Sequence, residues 1–210
     1  MSFPPSSAGS LEVIVGGMFS GKTEALITRL RRALLARQKT QIFKPVIDNR
    51  YATHYIISHN TLRLPTIPVG SAEEIVGHFQ RGTQVVGIDE AQFLGNELIG
   101  VCRFLISAGC RVIVAGLDMD YRGEPFEPMP YLMAIADEVV KQRAICVRCG
   151  RPALFSQRLQ VPGSSCGGDD ERVKIGGADT YEARCRACFV PAAVPDVPLD
   201  LDEISRCSAG

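Results

Sequence analysis

Residues 11–23 read Leu11-Glu12-Val13-Ile14-Val15-Gly16-Gly17-Met18-Phe19-Ser20-Gly21-Lys22-Thr23. The first five form a short β-branched run that Gly16-Gly17 closes. From Lys22 to about Arg37 apolar residues recur at helical spacing, with Leu26, Leu30, Ala33 and Leu34 assigned to one face. Between strand and helix, residues 16–23 fit G-x-x-x-x-G-K-[ST], in the context that gives this pattern its meaning. Glycines let backbone N–H groups curl around phosphate oxygens, and the helix terminus adds positive potential. Lys22 would reach the outer phosphates and the Thr23 hydroxyl would sit on Mg²⁺. Gly16, Gly17, Met18, Phe19, Ser20, Gly21, Lys22 and Thr23 are thus candidate nucleotide-binding residues.

Outward from this loop the chain alternates strand and helix. Strands are expected at residues 40–45, 85–88, 111–115 and 138–141, with weak strand character at 55–57 and 62–65 in a polar stretch running to about Pro68. Helices are expected at 71–81, with Ser71 as N-cap and Glu74 at the third helical position, and at 97–108 and 131–136. This βαβ spacing predicts an α/β fold, a P-loop NTPase-type mostly parallel sheet with helices on both faces.

The apolar run Val85-Val86-Gly87-Ile88 ends in Asp89-Glu90. It reads as a buried central strand, and Asp89 at its end can hold Mg²⁺ directly or through water. Two adjacent carboxylates beside a phosphate site repel each other unless metal or chemistry occupies them. Glu90 is a candidate general base on an acceptor hydroxyl; in an ATPase the same residue would polarise water, and chemistry alone leaves both open.

Composition limits the partners. The chain has 210 residues, 46% hydrophobic and 22% charged, with a formal net charge of zero, an ordinary globular balance that excludes wholesale disorder. A globally basic nucleic-acid binder is not expected from this balance, and no apolar run is long enough to span a bilayer. The first ten residues carry neither a basic n-region nor an apolar h-region, so a cytoplasmic protein with no membrane partner is expected. Gly and Pro concentrate in a head at 1–10, a loop at 163–177 and a tail after Phe189.

The texture changes at Cys146. Cys146-x2-Cys149 and Cys185-x2-Cys188 supply four thiolates in two pairs, the donor set of a closed tetrahedral Zn²⁺ site. A redox role is the alternative for either pair alone. A small module without a core of its own gains folding energy from such a metal, and Arg148 and Arg186 are placed to soften the charge of four thiolates. Cys102 and Cys110 read as buried apolar residues, whereas Cys166 and Cys207 have no visible mate. The division expected is a flexible head at 1–10, a nucleotide-binding α/β domain at 11–145, a zinc-ribbon and lasso domain at 146–190 and a flexible tail at 191–210.

Together these pieces resemble the type II thymidine kinases, the family of the cellular cytosolic enzyme and its bacterial relatives. The matching strings are Gly17-Met18-Phe19-Ser20-Gly21-Lys22-Thr23-Glu24, Asp48-Asn49-Arg50-Tyr51, Ser58-His59-Asn60 and Ile88-Asp89-Glu90-Ala91-Gln92-Phe93. Further along are Gly116-Leu117-Asp118-Met119-Asp120-Tyr121-Arg122-Gly123-Glu124-Pro125-Phe126 and Ile175-Gly176-Gly177-Ala178-Asp179-Thr180-Tyr181, the latter flanked by the Cys pairs. The resemblance spans about Leu11 to Phe189.

That resemblance implies transfer of the ATP γ-phosphoryl group to the 5′-hydroxyl of thymidine, and of deoxyuridine as a further acceptor. It makes Glu90 the base, places Arg50 beside the transferred group with Asp48 in support, and leaves Lys22 as the phosphate-side cation. Met18, Phe93, Phe126 and Tyr181 would enclose the pyrimidine. A lasso including Val173, Ile175, Gly176, Gly177 and Ala178 would bind the base through backbone groups, which suits a buried thymine whose N3–H and carbonyls need partners. Zinc would staple the lasso's ends. The resemblance also implies a homotetramer and feedback inhibition by dTTP. Residues 160–172 depart from the pattern with a longer, Gly-Ser-rich and acidic stretch, expected to bulge into solvent. His59 is assigned a loop-organising role, while His54 and His78 read as surface or loop residues. The rival readings are a zinc-ribbon P-loop NTPase working with nucleic acid, a deoxynucleoside kinase of broader base choice, and a non-catalytic nucleotide-binding protein.

Overall fold

The computed structural model describes residues 8–46, 55–57, 63–159 and 180–191. Six strands form one sheet in which every pairing is parallel. In chain order they are β1 (Ser10–Val15), β2 (Thr40–Pro45), β5 (Ile67–Val69), β6 (Val85–Ile88), β7 (Arg111–Gly116) and β8 (Glu138–Lys141). The lateral order is β5-β2-β6-β7-β1-β8. A parallel sheet must be covered on both faces, and its strands show this in their period-2 pattern. Leu11, Val13 and Val15 of β1, Val86 and Ile88 of β6, and Val112 and Val114 of β7 belong to one buried cluster. Helices α2 (Ala72–His78), α3 (Glu97–Ser107) and α4 (Met129–Ile135) cover that cluster. Ile14, Val85, Ile113 and Ala115 face the other way, against α1 (Lys22–Leu35) and Leu64 of β4 (Arg63–Pro65). β4 pairs antiparallel with β3 (Tyr55–Ile57).

Gly87 sets how closely α1 lies on the sheet. A Cβ there would stand 2.8 Å from both terminal methyls of Leu30, so the helix packs against bare backbone.

Three local expectations need correction. Leu34 is 44% exposed, and Ile27 takes its place on the buried face of α1 beside Leu26, Leu30 and Ala33. Leu34 shares that face's direction but sits in the last turn of α1, where Leu35 is exposed as well. α2 stops at His78, and Ser71 precedes it in extended conformation without capping a helix amide; Glu74 Oε2 instead accepts the Gly70 N–H at 2.8 Å. Finally, β5 pairs with the β2 edge where the sequence reads as a polar stretch with Pro68. Proline is tolerated there because an edge strand leaves one side unpaired.

Beyond β8 the elements are short. β9 (Ala144–Ile145) pairs with β10 (Pro152–Ala153), and β11 (Phe155–Arg158) pairs with β12 (Tyr181–Arg184), both antiparallel. Ala144, Cys146, Ala153, Ala183 and Cys185 form their small buried cluster. No helix among the described residues is long and apolar enough to cross a membrane.

Candidate active site

The carboxyl ends of β1, β6 and β7 converge, and this edge of an open α/β sheet is where ligands bind. β1 runs into the loop 16–21. Gly16 (φ 142°) and Gly21 (φ 82°) occupy backbone conformations that favour glycine, and Phe19 (φ 63°) adopts a left-handed one. At Gly16 a Cβ would lie 2.4 Å from the Gln142 carbonyl oxygen, and at Gly17 one would lie 2.8 Å from that of Leu154. The loop is therefore wedged against the chain that follows β8. The Met18 N–H donates to Ser156 Oγ at 2.9 Å, tying the same loop to β11.

The Lys22 ammonium donates to the Gly17 carbonyl at 2.8 Å, folding back across the loop. Burial pushes its pKa down, while Glu90, Asp89 and Asp118 push it up. The Thr23 hydroxyl donates towards Asp89, 3.2 Å from Oδ1 and 3.3 Å from Oδ2. Asp89 is 3% exposed. Desolvation first, and then the Glu90 charge, drives its carboxyl up to about 7 against the pull of Lys44 and Lys22. A hydroxyl and a carboxylate in contact are a hard-oxygen pair suited to Mg²⁺, whose charge would remove the penalty that burial places on Asp89. At the end of β7, Asp118 is buried and ion-paired with Lys141 at 2.6 Å.

Glu90 follows Asp89 in left-handed backbone conformation (φ 52°, ψ 40°) and caps the 3-10 turn Ala91–Phe93. This turn sends Glu90 and Asp89 in different directions. Phe93, at its end, meets Phe126 edge to face, with centroids 6.0 Å apart. Phe126 is placed by a tight loop: its N–H donates to the Asp118 carbonyl at 3.0 Å, and Asp120 Oδ1 accepts the N–H groups of Arg122 at 2.9 Å and Glu124 at 3.1 Å. The loop leans on the C-terminal module. Arg158 lies over the Tyr121 ring at 5.1 Å, and a Cβ on Gly123 would touch the rings of Phe189 and Phe155, at 3.3 and 3.4 Å.

The four cysteine sulfurs of residues 146, 149, 185 and 188 lie within 4.8 Å of one another. A tetrahedral Zn²⁺ with bonds of about 2.3 Å sets its sulfurs about 3.8 Å apart, so this donor set fits the metal. Without a cation between them, thiolates this close repel one another. Hydrogen bonds from Arg151 lead in pulling Cys149 down to about 6, whereas the neighbouring thiol groups push Cys188 up to about 12. Arg151, with Nε 3.4 Å from Cys149 Sγ, has the softening role expected of Arg148 and Arg186. Arg148 is exposed, and Arg186 lies over the Phe155 ring at 5.0 Å.

The thymidine kinase family model matches residues 9–189. The chain belongs to the thymidine kinase family. It is 51% identical over 183 residues to a thymidine kinase of Bdellovibrio bacteriovorus, spanning 87% of this chain and 86% of the relative. It is 53% identical over 186 residues to a thymidine kinase of a Rhodothermus species, spanning 88% and 83%.

In this thymidine kinase family member the structure brings together Gly16, Gly17, Met18, Phe19, Ser20, Gly21, Lys22, Thr23 and Asp89, with Glu90, Phe93 and Phe126 at the same sheet edge. Tyr181 is buried at the start of β12, on the strand that leads to Cys185. Arg50, Asp48, His54, His59, Val173, Ile175, Gly176, Gly177, Ala178, Cys166, Cys207, the stretch 160–172 and most of the head and tail lie outside the described residues. Residue reading did not single out Ser156 or Gln92. Gln92 stood in the string Asp89-Glu90-Ala91-Gln92-Phe93 as an unassigned polar residue, and its position two after Glu90 was the available signal. Ser156 carried none, because its contact with Met18 spans 138 residues of sequence.

Proposed function

We propose that this chain is a thymidine kinase, transferring the γ-phosphoryl group of ATP to the 5′-hydroxyl of thymidine to give dTMP and ADP in nucleotide salvage. The observation that carries the reading is the family match over residues 9–189, which contains the intact phosphate loop and both carboxylates. Glu90 orients the 5′-hydroxyl and takes its proton as O5′ bonds to the γ-phosphorus and the bond to the β–γ bridging oxygen breaks. Loop amides of residues 16–23, Lys22 and Arg50 stabilise charge on the transferring group. Thr23 and Asp89 hold Mg²⁺, which when bound neutralises charge on the phosphates. Met18, Phe93, Phe126 and Tyr181 enclose the pyrimidine, and Val173, Ile175, Gly176, Gly177 and Ala178 bind it through the backbone. Cys146, Cys149, Cys185 and Cys188 hold a structural Zn²⁺ that fixes both ends of the intervening lasso.

The same reading includes deoxyuridine as an acceptor, dTTP as a feedback inhibitor, a homotetramer and a cytoplasmic location, with no nucleic-acid or membrane partner. The support for these is the family resemblance. The domain division is likewise proposed as 11–145 for ATP and 146–190 for the nucleoside.

The test is a coupled assay of Mg·ATP with thymidine, deoxyuridine, deoxycytidine and deoxyguanosine, with Glu90→Ala alongside. Thymidine phosphorylation that collapses in the variant is expected. Equal turnover of all four nucleosides would replace the reading with a broad deoxynucleoside kinase. ATP hydrolysis stimulated by DNA or RNA, without nucleoside phosphorylation, would overturn it.

A further inference from the structure

Gln92 lies beside Glu90 and is 4% exposed. A buried amide with two donors and one carbonyl is costly unless both ends are satisfied. Here both are. Gln92 Oε1 accepts the Leu117 N–H at 2.9 Å, and Gln92 Nε2 donates to Glu90 Oε2 at 2.7 Å. Because a backbone N–H can only donate, the end facing Leu117 must be the carbonyl oxygen, and the amino group must therefore face Glu90. The orientation is fixed by chemistry, with no free choice between the two amide flips.

The approach is also built in. Leu117 immediately follows β7, and the preceding Gly116 leaves room for the amide: a Cβ there would stand 2.9 Å from Gln92 Oε1 and 2.7 Å from Met129 Sδ. Glu90 itself begins the turn Ala91–Phe93 in left-handed backbone conformation, and the Phe93 N–H returns to the Glu90 carbonyl at 3.1 Å. Thus the backbone of Glu90 is set by the turn and its carboxylate by Gln92, which is anchored on a different strand. Among the described residues no hydrogen bond is made to Glu90 Oε1, and the Glu90 side chain is only half-buried.

We propose that Gln92 is a positioning residue for phosphoryl transfer, holding one oxygen of the Glu90 carboxylate so that the other meets the acceptor hydroxyl. This rests on the reading of Glu90 as the base. A carboxylate on a long side chain samples many rotamers, and a misplacement of about 1 Å in a reacting group costs roughly 100-fold in rate. Gln92 acts on the geometry of the base while leaving the ATP loop and the aromatic wall in place. Its loss should therefore lower kcat with little change in either KM.

The experiment compares kcat and both KM values for Gln92→Met, Gln92→Glu, Glu90→Ala and Glu90→Ala/Gln92→Met, with thermal melts of each. Gln92→Glu retains an acceptor for the Leu117 N–H, so it covers the case in which the methionine variant fails to fold. The expected result is a kcat about 10- to 100-fold lower in the Gln92 variants with KM values within about twofold. In the Glu90→Ala background the Gln92 change should cost less than about twofold, since its effect runs through Glu90. A single-variant kcat within twofold of the parent would overturn the positioning role, as would an equal loss in both backgrounds. Parental turnover by Glu90→Ala would instead overturn the base assignment beneath it.

Discussion

Replacing Asp89 with asparagine should make the ligand-free protein more stable at pH 8. The Asp89 carboxyl has an ordinary value of 3.8 and is driven to about 7 in the fold, chiefly by burial. Between those values the folded protein holds a proton that the unfolded chain releases, so stability falls as pH rises through the window and levels off above 7. At 1.36 kcal/mol per pH unit the span amounts to an upper value of about 4 kcal/mol. Asparagine keeps a carbonyl oxygen for the Thr23 hydroxyl, now 3.2 Å from Oδ1, and removes only the charge. For a chain of this size each kcal/mol moves the melting temperature by about 2–4 °C, so Asp89→Asn should melt up to roughly 8–16 °C higher at pH 8. Differential scanning calorimetry from pH 4 to 8 in magnesium-free buffer, without chelator so that the four-cysteine cluster is left undisturbed, makes the measurement. The gap should close towards pH 4. Equal melting temperatures at pH 8, or a gap that widens on acidification, would refute the claim that the buried Asp89 charge destabilises the ligand-free protein.

Other consequences are simpler to check. Stripping metal from the four-cysteine cluster should lower the melting temperature and raise the KM for thymidine more than that for ATP, with Zn²⁺ restoring both; steady-state kinetics before and after chelation decide this. Ser156→Ala removes the acceptor of the Met18 N–H and should cost about 1–2 kcal/mol in urea unfolding, whereas Ser156→Thr, which keeps the hydroxyl, should recover most of it. Gly87→Ala drives a methyl into Leu30 and should cost about 1–3 kcal/mol in the same assay. Gln41→Leu unpairs the Gln80 N–H, the Thr83 hydroxyl and the His78 carbonyl, all within 2.9 Å of the native amide, and should cost about 2–3 kcal/mol.

The parts of the fold that were legible in sequence are those in which local and global preferences agree. The run 11–23 carried strand, turn and helix in one stretch, and β2 was readable to its ends because Thr40 and Pro45 bound an apolar core. Thr23 and Asp89 could be paired in advance because one opens the helix after the phosphate loop and the other ends an apolar strand, the two positions a phosphate site requires. β5 was hidden since its three residues contain Pro68 and make sense only as an edge beside β2. Leu34 illustrates another limit: periodicity places it on the buried face, but it falls in the last turn of α1, where it and Leu35 are exposed. The adjacent carboxylates Asp89 and Glu90 could be picked out at the end of an apolar run, but the Gln92 amide that meets Glu90 depends on Leu117, 25 residues away from it, and no periodicity records such a contact. The bond from Ser156 to the phosphate loop was invisible for the same reason.

Gly16 and Gly17 also bear on how such an enzyme can be rebuilt. Each lies against a carbonyl oxygen from the chain after β8, one of Gln142 and the other of Leu154. The phosphate loop is consequently fitted to its neighbour's backbone and is not a transplantable cassette. A chimaera that imports a relative's cysteine-bearing half would have to carry across the path of residues 142–156 intact, and one that imports only the loop would have to match it. Exchange of parts between family members should succeed at cuts in the β2–β5 edge of the sheet sooner than at the apparent boundary between the two halves.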